Sequence, residues 1–158
     1  MKQTDLVKEL EQVISGDPWY GSPLSKILEG VDPHVVFFRI GNSHSIAEIL
    51  LHMIAWTEET QSRLAGNEAS QPLRGDWPET DSYSWLELIG LFLLANEHLI
   101  HLINQMDEQL LSEPVRDMRN PALGTGVNYE ELIRGLIKHH IYHSGQIAIL
   151  ANNISASK

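Results

Sequence analysis

The sequence predicts an all-α fold, an antiparallel four-helix bundle formed by a single domain over residues 1–158. Apolar residues recur at steps of three and four along most of the chain, and capping patterns precede three of the long segments. We find no run of alternating strand residues, and long helices joined by loops are typical of bundles. A chain of 158 residues buries a core without a disulfide or a metal ion, so a bound metal would serve function.

The amino-terminal part of the chain predicts one amphipathic helix and one short helix. Apolar residues define the first over Leu6–Ile14, which stops before Pro18. The second spans about Leu24–Glu29 and ends at Gly30. Residues 32–42 contain proline, glycine and adjacent valines, so we expect a connector there.

Three capping patterns predict where the remaining helices begin. A serine or asparagine followed three residues later by glutamate satisfies backbone amides that a helix start leaves open. The pattern occurs as Ser45 with Glu48, Ser84 with Glu87, and Asn128 with Glu131. The predicted helices are Ile46–Leu64, Trp85–Met106 and Tyr129–Asn152. The inner stripe predicted for the second of these is Leu88, Phe92, Ala95, Leu99, Leu102 and Met106. Residues 67–81, and the stretch that contains Pro114, Pro121, Gly124 and Gly126, are predicted as loops.

The composition argues against several classes of partner. The chain has 11 basic and 21 acidic side chains and a formal net charge of −10, which disfavours binding to nucleic acid or to an anionic membrane surface. The strongly apolar stretch Leu88–Ala95 is too short to cross a bilayer. There is no cysteine and no basic-then-apolar signal pattern, so we expect a cytoplasmic protein without disulfides or thiolate ligands.

Three histidines are candidate metal ligands. His52 lies in the otherwise apolar run Ile46–Trp56, where it shares a helix face with Glu48. His139 and His143 are four residues apart, so a helix places them one above the other, where two imidazoles can share a divalent ion. Inward positions on different helices converge in a bundle. The hypothesis is therefore a site with three imidazole nitrogens and one open side.

The other histidines leave alternatives open. His140 can replace His139, because it is three residues from His143. We favour His139, which aligns with the apolar stripe of its helix. His98 and His101 are interpreted as a lateral polar stripe, and His34 and His44 as exposed, with His44 at a pocket rim.

Several motifs together resemble the DinB-like (YfiT-like) four-helix metalloproteins over nearly the whole chain. The most specific are His52-Met53-Ile54-Ala55-Trp56 and the closing His139-His140-Ile141-Tyr142-His143-Ser144-Gly145-Gln146-Ile147. The remaining ones are Trp19-Tyr20-Gly21-Ser22-Pro23-Leu24, His44-Ser45-Ile46-Ala47-Glu48-Ile49, Arg63-Leu64-Ala65-Gly66 and Asp76-Trp77-Pro78.

The resemblance implies a homodimer that carries one divalent metal on His52, His139 and His143. Zinc, nickel and manganese all fit three imidazoles with water completing the coordination. Some members of the family transfer a low-molecular-weight thiol to a small electrophile, which implies a thiol transferase or hydrolase that activates a thiol or water. The alternative is a non-catalytic, stress-associated metal-binding dimer.

Three further residues are candidates for catalysis. Glu48 can orient an imidazole or accept a proton, although completing the cap with Ser45 is the favoured interpretation. Gln146, one turn after His143, can contact a ligand or brace the helix. Tyr20 stands where relatives often have histidine, and by the resemblance it lines the pocket near the metal.

Overall fold

A computed structural model describes residues 2–119 and 126–156, with the backbone alone for residues 155 and 156. It contains the helices α1 (Lys2–Ser15), α2 (Leu24–Glu29), α3 (Ile46–Leu64), α4 (Trp85–Gln105) and α5 (Tyr129–Ala156). A short 3-10 helix lies at Glu108–Ser112. Within the described ranges there is no strand, only the isolated bridge between Pro114 and Asn128. The all-α class is confirmed.

The four long helices pack around one apolar core. Helix α3 contacts α4 and α5, α1 contacts the same two helices from the other side, and α2 lies against α1 and α5. Side chains from every long helix are fully buried where they meet, among them Leu10, Leu50, Phe92, Leu99 and Ile133. The bundle thus brings α3 and α5, which carry the candidate ligands, into direct contact.

The helix starts follow the predicted caps. Ser45 Oγ accepts a hydrogen bond from the Glu48 amide at 3.1 Å, and the Glu48 carboxylate accepts one from the Ser45 amide at 2.7 Å. Equivalent pairs precede α4 and α5. Each pair satisfies two amides that a helix start leaves open, which explains why the sequence located these starts.

Other boundaries differ from the prediction. Helix α1 begins four residues before Leu6 and α5 continues to Ala156, because helical structure extends beyond the apolar stripes that defined the prediction. On α4 the buried row continues from Leu99 to Ile103, whereas Leu102 and Met106 are half-buried. The 3-10 helix lies in a segment predicted as loop. The predicted loop residues Pro121 and Gly124 fall outside the described residues.

Helix α4 is more apolar in composition than the other long helices of the bundle. Among the described residues it is the one helix that is long and apolar enough to cross a membrane by length and composition, with 33% of its most apolar window buried. Core helices of soluble proteins pass the same test. One face of α4 packs on α3 and α1, and Leu86, Leu93 and Leu94 remain exposed on the outside.

Candidate metal site

Three imidazoles from α3 and α5 meet at the contact between these helices. The Nε2 atom of His139 lies 3.0 Å from Nε2 of His52 and 3.1 Å from Nε2 of His143. One nitrogen from each of the three rings lies within 4.8 Å of the others. Nitrogens bound tetrahedrally to one zinc ion are about 3.3 Å apart, given a Zn–N bond of about 2.0 Å. The spacing of the cluster therefore suits a single divalent ion.

Hydrogen bonds fix the tautomers of two of these rings. His52 Nδ1 lies 2.6 Å from the backbone oxygen of Asp76, and His143 Nδ1 lies 2.6 Å from Oε1 of Gln146. Both oxygens only accept hydrogen bonds, so each Nδ1 carries the proton and donates it. The Nε2 atoms of His52 and His143 therefore present lone pairs to the centre of the cluster, as metal-ligating histidines do.

The third ring makes the cluster incomplete without a cation. His139 Nδ1 is buried and, among the described residues, has no hydrogen-bond partner. If His139 carries its proton on Nδ1, the lone pairs of three Nε2 atoms face one another. If it carries the proton on Nε2, this one hydrogen faces two acceptors, Nε2 of His52 and Nε2 of His143. A divalent ion shared by the three Nε2 atoms engages all three lone pairs at once, with the proton of His139 on Nδ1, so the donor set of the three Nε2 atoms fits a metal.

Burial keeps the cluster uncharged near neutral pH. Burial, together with the neighbouring His143 and His52, lowers the pKa of His139 to about 4, against a smaller opposing contribution from Asp76. Burial also lowers the pKa of His52 and of His143, against opposing contributions from Asp76 and Gln146 respectively. Neutral imidazole is the form that binds a metal ion, so protons compete weakly for this site.

The loop between α3 and α4, residues 65–84, holds His52 from outside the bundle. The Asp76 carboxylate accepts a hydrogen bond from Trp56 Nε1 at 2.7 Å, beside the bond from His52 to the Asp76 backbone. Gly75 has a φ of +91°, a left-handed conformation that favours glycine, and it directs the chain into this contact. The ligand on α3 is thus oriented by a loop distant from it in sequence.

A stack of three parallel rings extends outward from His52. Trp77 lies between His52 and His44, with ring centroids 3.9 Å and 3.6 Å away and interplanar angles of 8° and 5°. The stack forms one wall of an open cavity of about 510 Å³, which is also lined by His143, Ile49, Ile149 and Leu150. His44, which was predicted at a pocket rim, lines this cavity and stacks on the indole of Trp77.

A second, smaller cavity approaches the cluster from another side. Its volume is about 270 Å³, and it is lined by His139 and Trp56 together with Arg63 and Glu131. The two cavities share no lining residue, and each borders a different part of the cluster. The three histidines therefore separate two spaces that differ in size and in lining.

The other histidines lie outside the cluster. His140 is fully buried and its Nε2 donates to Oδ1 of Asn96 at 2.9 Å, and burial lowers its pKa to about 3. The structure thus brings His139, rather than His140, together with His52 and His143. His98 and His101 are exposed on α4, and His34 is exposed beside Asp32.

The three catalytic candidates take different positions. The Glu48 carboxylate accepts from the Ser45 amide at the start of α3 and pairs with Arg39, and its nearest imidazole is His44 at 3.7 Å. Gln146 orients His143 through the hydrogen bond given above. Tyr20 is half-exposed against Trp19 and is not among the residues that line either cavity, so its position gives no support to a catalytic role.

Sequence reasoning missed the parts that Asp76, Trp77 and Asn96 play. Asp76 and Trp77 belong to a loop whose path no helical periodicity reports, although the Asp76-Trp77-Pro78 motif marked the segment. Asn96 was hidden in an apolar helix, where a buried amide signals a polar partner across the core.

Comparisons with known proteins agree with this fold. The family model of the DinB superfamily matches residues 22–147. The crystal structure of a DinB-like protein, YjoA from Bacillus subtilis, superposes with a TM-score of 0.68 at 16% sequence identity, covering 96% of this chain and 92% of that one. At this identity the likeness shows the fold alone. A search of curated proteins found no match.

Proposed function

Because the chain belongs to the DinB superfamily, we propose that His52, His139 and His143 bind one divalent metal ion and that the loaded protein is a metal-dependent enzyme. The reaction class is attack of an activated thiol or water on a small electrophile. The observation that carries the proposal is the convergence of three Nε2 atoms, two of them fixed as lone-pair donors by Asp76 and Gln146.

The residues of the chain supply orientation, and the ion supplies activation. Asp76 and Gln146 hold the two outer imidazoles in the ligand tautomer. When bound, a divalent ion acts as a Lewis acid that lowers the pKa of a thiol or water it binds. Trp77 and the aliphatic wall of the larger cavity place apolar surface beside one side of the cluster.

The metal is tested by elemental analysis of the purified chain after supplementation with Zn²⁺, Ni²⁺ or Mn²⁺. We expect about one ion per chain, lost in His52→Ala, His139→Ala and His143→Ala. His98→Ala is the matched control, because it removes an exposed imidazole from α4. A metal content that none of the three cluster variants changes contradicts the proposed ligands.

A second experiment separates an enzyme from a non-catalytic metal protein. The loaded protein is screened against a panel of low-molecular-weight thiols and small electrophiles. A catalytic ion predicts turnover that His139→Ala abolishes with a modest change in thermal stability. A large loss of thermal stability in His139→Ala, with no turnover on any pair in the wild-type protein, supports the non-catalytic alternative.

The proposed enzyme acts as a homodimer, and the outer face of α4 is the surface we assign to the second copy. Leu86, Leu93 and Leu94 are exposed there on one helix, and a twofold contact buries the same patch on both chains. The net charge of −10 disfavours an anionic membrane as the alternative partner. Sedimentation velocity tests this: Leu94→Glu should yield monomer, and a wild-type protein that is monomeric at micromolar concentration contradicts it.

A further inference from the structure

The larger cavity beside the cluster has no charged side chain among the described residues that line it. Its walls are aliphatic carbons of Ile49, Ile149 and Leu150, and its polar groups are uncharged amides, hydroxyls and imidazoles. Arg39 of the neighbouring connector pairs with Glu48 of α3, and neither side chain lines the cavity. In the metal-free protein, an ionised ligand placed in this cavity would find no counter-ion among the lining side chains.

The smaller cavity differs in having charged side chains in its wall. Arg63 and Glu131 both line it, together with apolar residues such as Val127 and Leu132. Arg63 Nε donates to Glu59 at 2.9 Å, so the guanidinium is held in place and its charge is paired. The two approaches to the histidines therefore differ in the polarity of the molecule that each accommodates.

The aromatic ring nearest to His52 offers the larger cavity only its edge. Both faces of Trp77 are covered, one by His52 and one by His44. A planar ligand cannot stack on this indole without displacing one of these rings. Contact in the cavity is therefore made chiefly with aliphatic side chains, which select by apolar area rather than by ring geometry.

We propose that the larger cavity binds an uncharged small molecule with an extended apolar body, aliphatic in character, whose single polar end reaches His52 and His143. The proposal rests on the proposed function for the role of the cluster as the reaction centre. An acidic protein surface adds to the selection against anions at the cavity mouth. The electrophilic substrate is thereby assigned to this side of the cluster, and charged or zwitterionic co-substrates to the side of Arg63.

The test is a titration of the full-length chain with straight-chain 1-alkanols from butanol to heptanol, followed by NMR chemical shifts, before and after addition of Zn²⁺. Each added methylene should tighten binding about fourfold until the cavity is filled. In the metal-free protein and at equal length, 6-hydroxyhexanoate should bind at least about tenfold more weakly than 1-hexanol, since no lining side chain is a counter-ion for its carboxylate.

Two exposed positions provide matched variants that leave the fold intact. Ile149 is 64% exposed at the cavity wall, and Leu73 is fully exposed in the residue 65–84 loop and lines neither cavity. Ile149→Glu should weaken 1-hexanol binding about tenfold by adding a charge to the wall, whereas Leu73→Glu should leave it unchanged. Equal effects of the two variants, no dependence on chain length, or equal affinity of the metal-free protein for 1-hexanol and 6-hydroxyhexanoate overturn the proposal.

A parallel Zn²⁺ titration distinguishes the two failures. If Zn²⁺ binds and the alkanols do not, the ligand class is wrong while the metal site stands. If the alkanols bind in the predicted order and Zn²⁺ does not, the cavity is as inferred and the proposed function fails.

Discussion

Replacing Gln146 by leucine tests whether a hydrogen bond to Nδ1 prepares His143 as a ligand. The side chain of Gln146 accepts from His143 Nδ1 at 2.6 Å, and His143 is only 4% exposed. Leucine has a similar volume and no acceptor. The imidazole then loses the contact that fixes its tautomer and its ring orientation, while the His143 backbone stays on the same turn of α5.

The expected size of the effect follows from two costs. Loss of a hydrogen bond that orients a ligating histidine lowers metal affinity about 10- to 100-fold, equivalent to about 1.4–2.7 kcal/mol. In the metal-free protein, the buried Nδ1–H loses its acceptor, which reduces the free energy of unfolding by about 1–3 kcal/mol. The imidazole can relieve part of the second cost by moving its proton to Nε2, which then cannot bind the ion.

The assay is competition for Zn²⁺ against a chromophoric chelator, combined with denaturant unfolding of the metal-free protein. Gln146→Glu is the matched control, because its carboxylate keeps an oxygen acceptor and should bind Zn²⁺ at least as tightly as the wild-type chain. Unchanged Zn²⁺ affinity in Gln146→Leu, or equal losses in both variants, would refute the argument that this hydrogen bond prepares the ligand.

Three other substitutions have defined outcomes. Asn96→Leu removes the acceptor of the buried His140 Nε2–H, so denaturant unfolding should show a loss of about 1–3 kcal/mol while Zn²⁺ uptake is unchanged. Burial alone would raise the pKa of Glu48, but hydrogen bonds from Arg39 and Ser45 lower it to about 2. The ionised Glu48 carboxylate therefore contributes fully to the free energy of unfolding above pH 4.5, and this contribution is lost as the pH falls through 2. The stability difference between the wild-type chain and Glu48→Gln should shrink in acid. Asp76→Ala should change Zn²⁺ affinity by less than about threefold, because a half-exposed carboxylate contributes little and the backbone oxygen still holds His52; a loss as large as that expected for Gln146→Leu would contradict this.

The sequence predicted the helices best where a local chemical rule applies. Ser45, Ser84 and Asn128 marked three helix starts, since a capping pair is complete within four residues. The sequence predicted the carboxyl-terminal ends of helices less well, as at Ala156, because a helix can continue past its last buried residue with its final turn exposed to solvent. The shift from Leu102 to Ile103 on α4 has a similar cause, since both are apolar and only packing decides between them.

The candidate site was predictable to the extent that helix geometry alone defines it. A spacing of four placed His139 and His143 on one face, and the apolar surroundings of His52 pointed it inward. The fixation of His52 by the residue 65–84 loop could not be predicted, because it depends on a chain path set by long-range contacts. The difference in charge between the two cavity walls could not be predicted either. It depends on tertiary packing, which places Ile149 at the larger cavity and Arg63 at the smaller one.

The backbone oxygen that fixes His52 has a consequence for how this site tolerates mutation. A side-chain acceptor such as that of Gln146 is lost through a single codon change, but a main-chain oxygen is present whatever amino acid occupies position 76. The hydrogen bond of His52 is therefore retained when residue 76 is substituted, whereas that of His143 is lost when Gln146 is replaced by a residue without an acceptor. Insertions or deletions in the residue 65–84 loop are the changes that would release His52, so loop length, more than residue identity, should distinguish homologues that keep this half of the site.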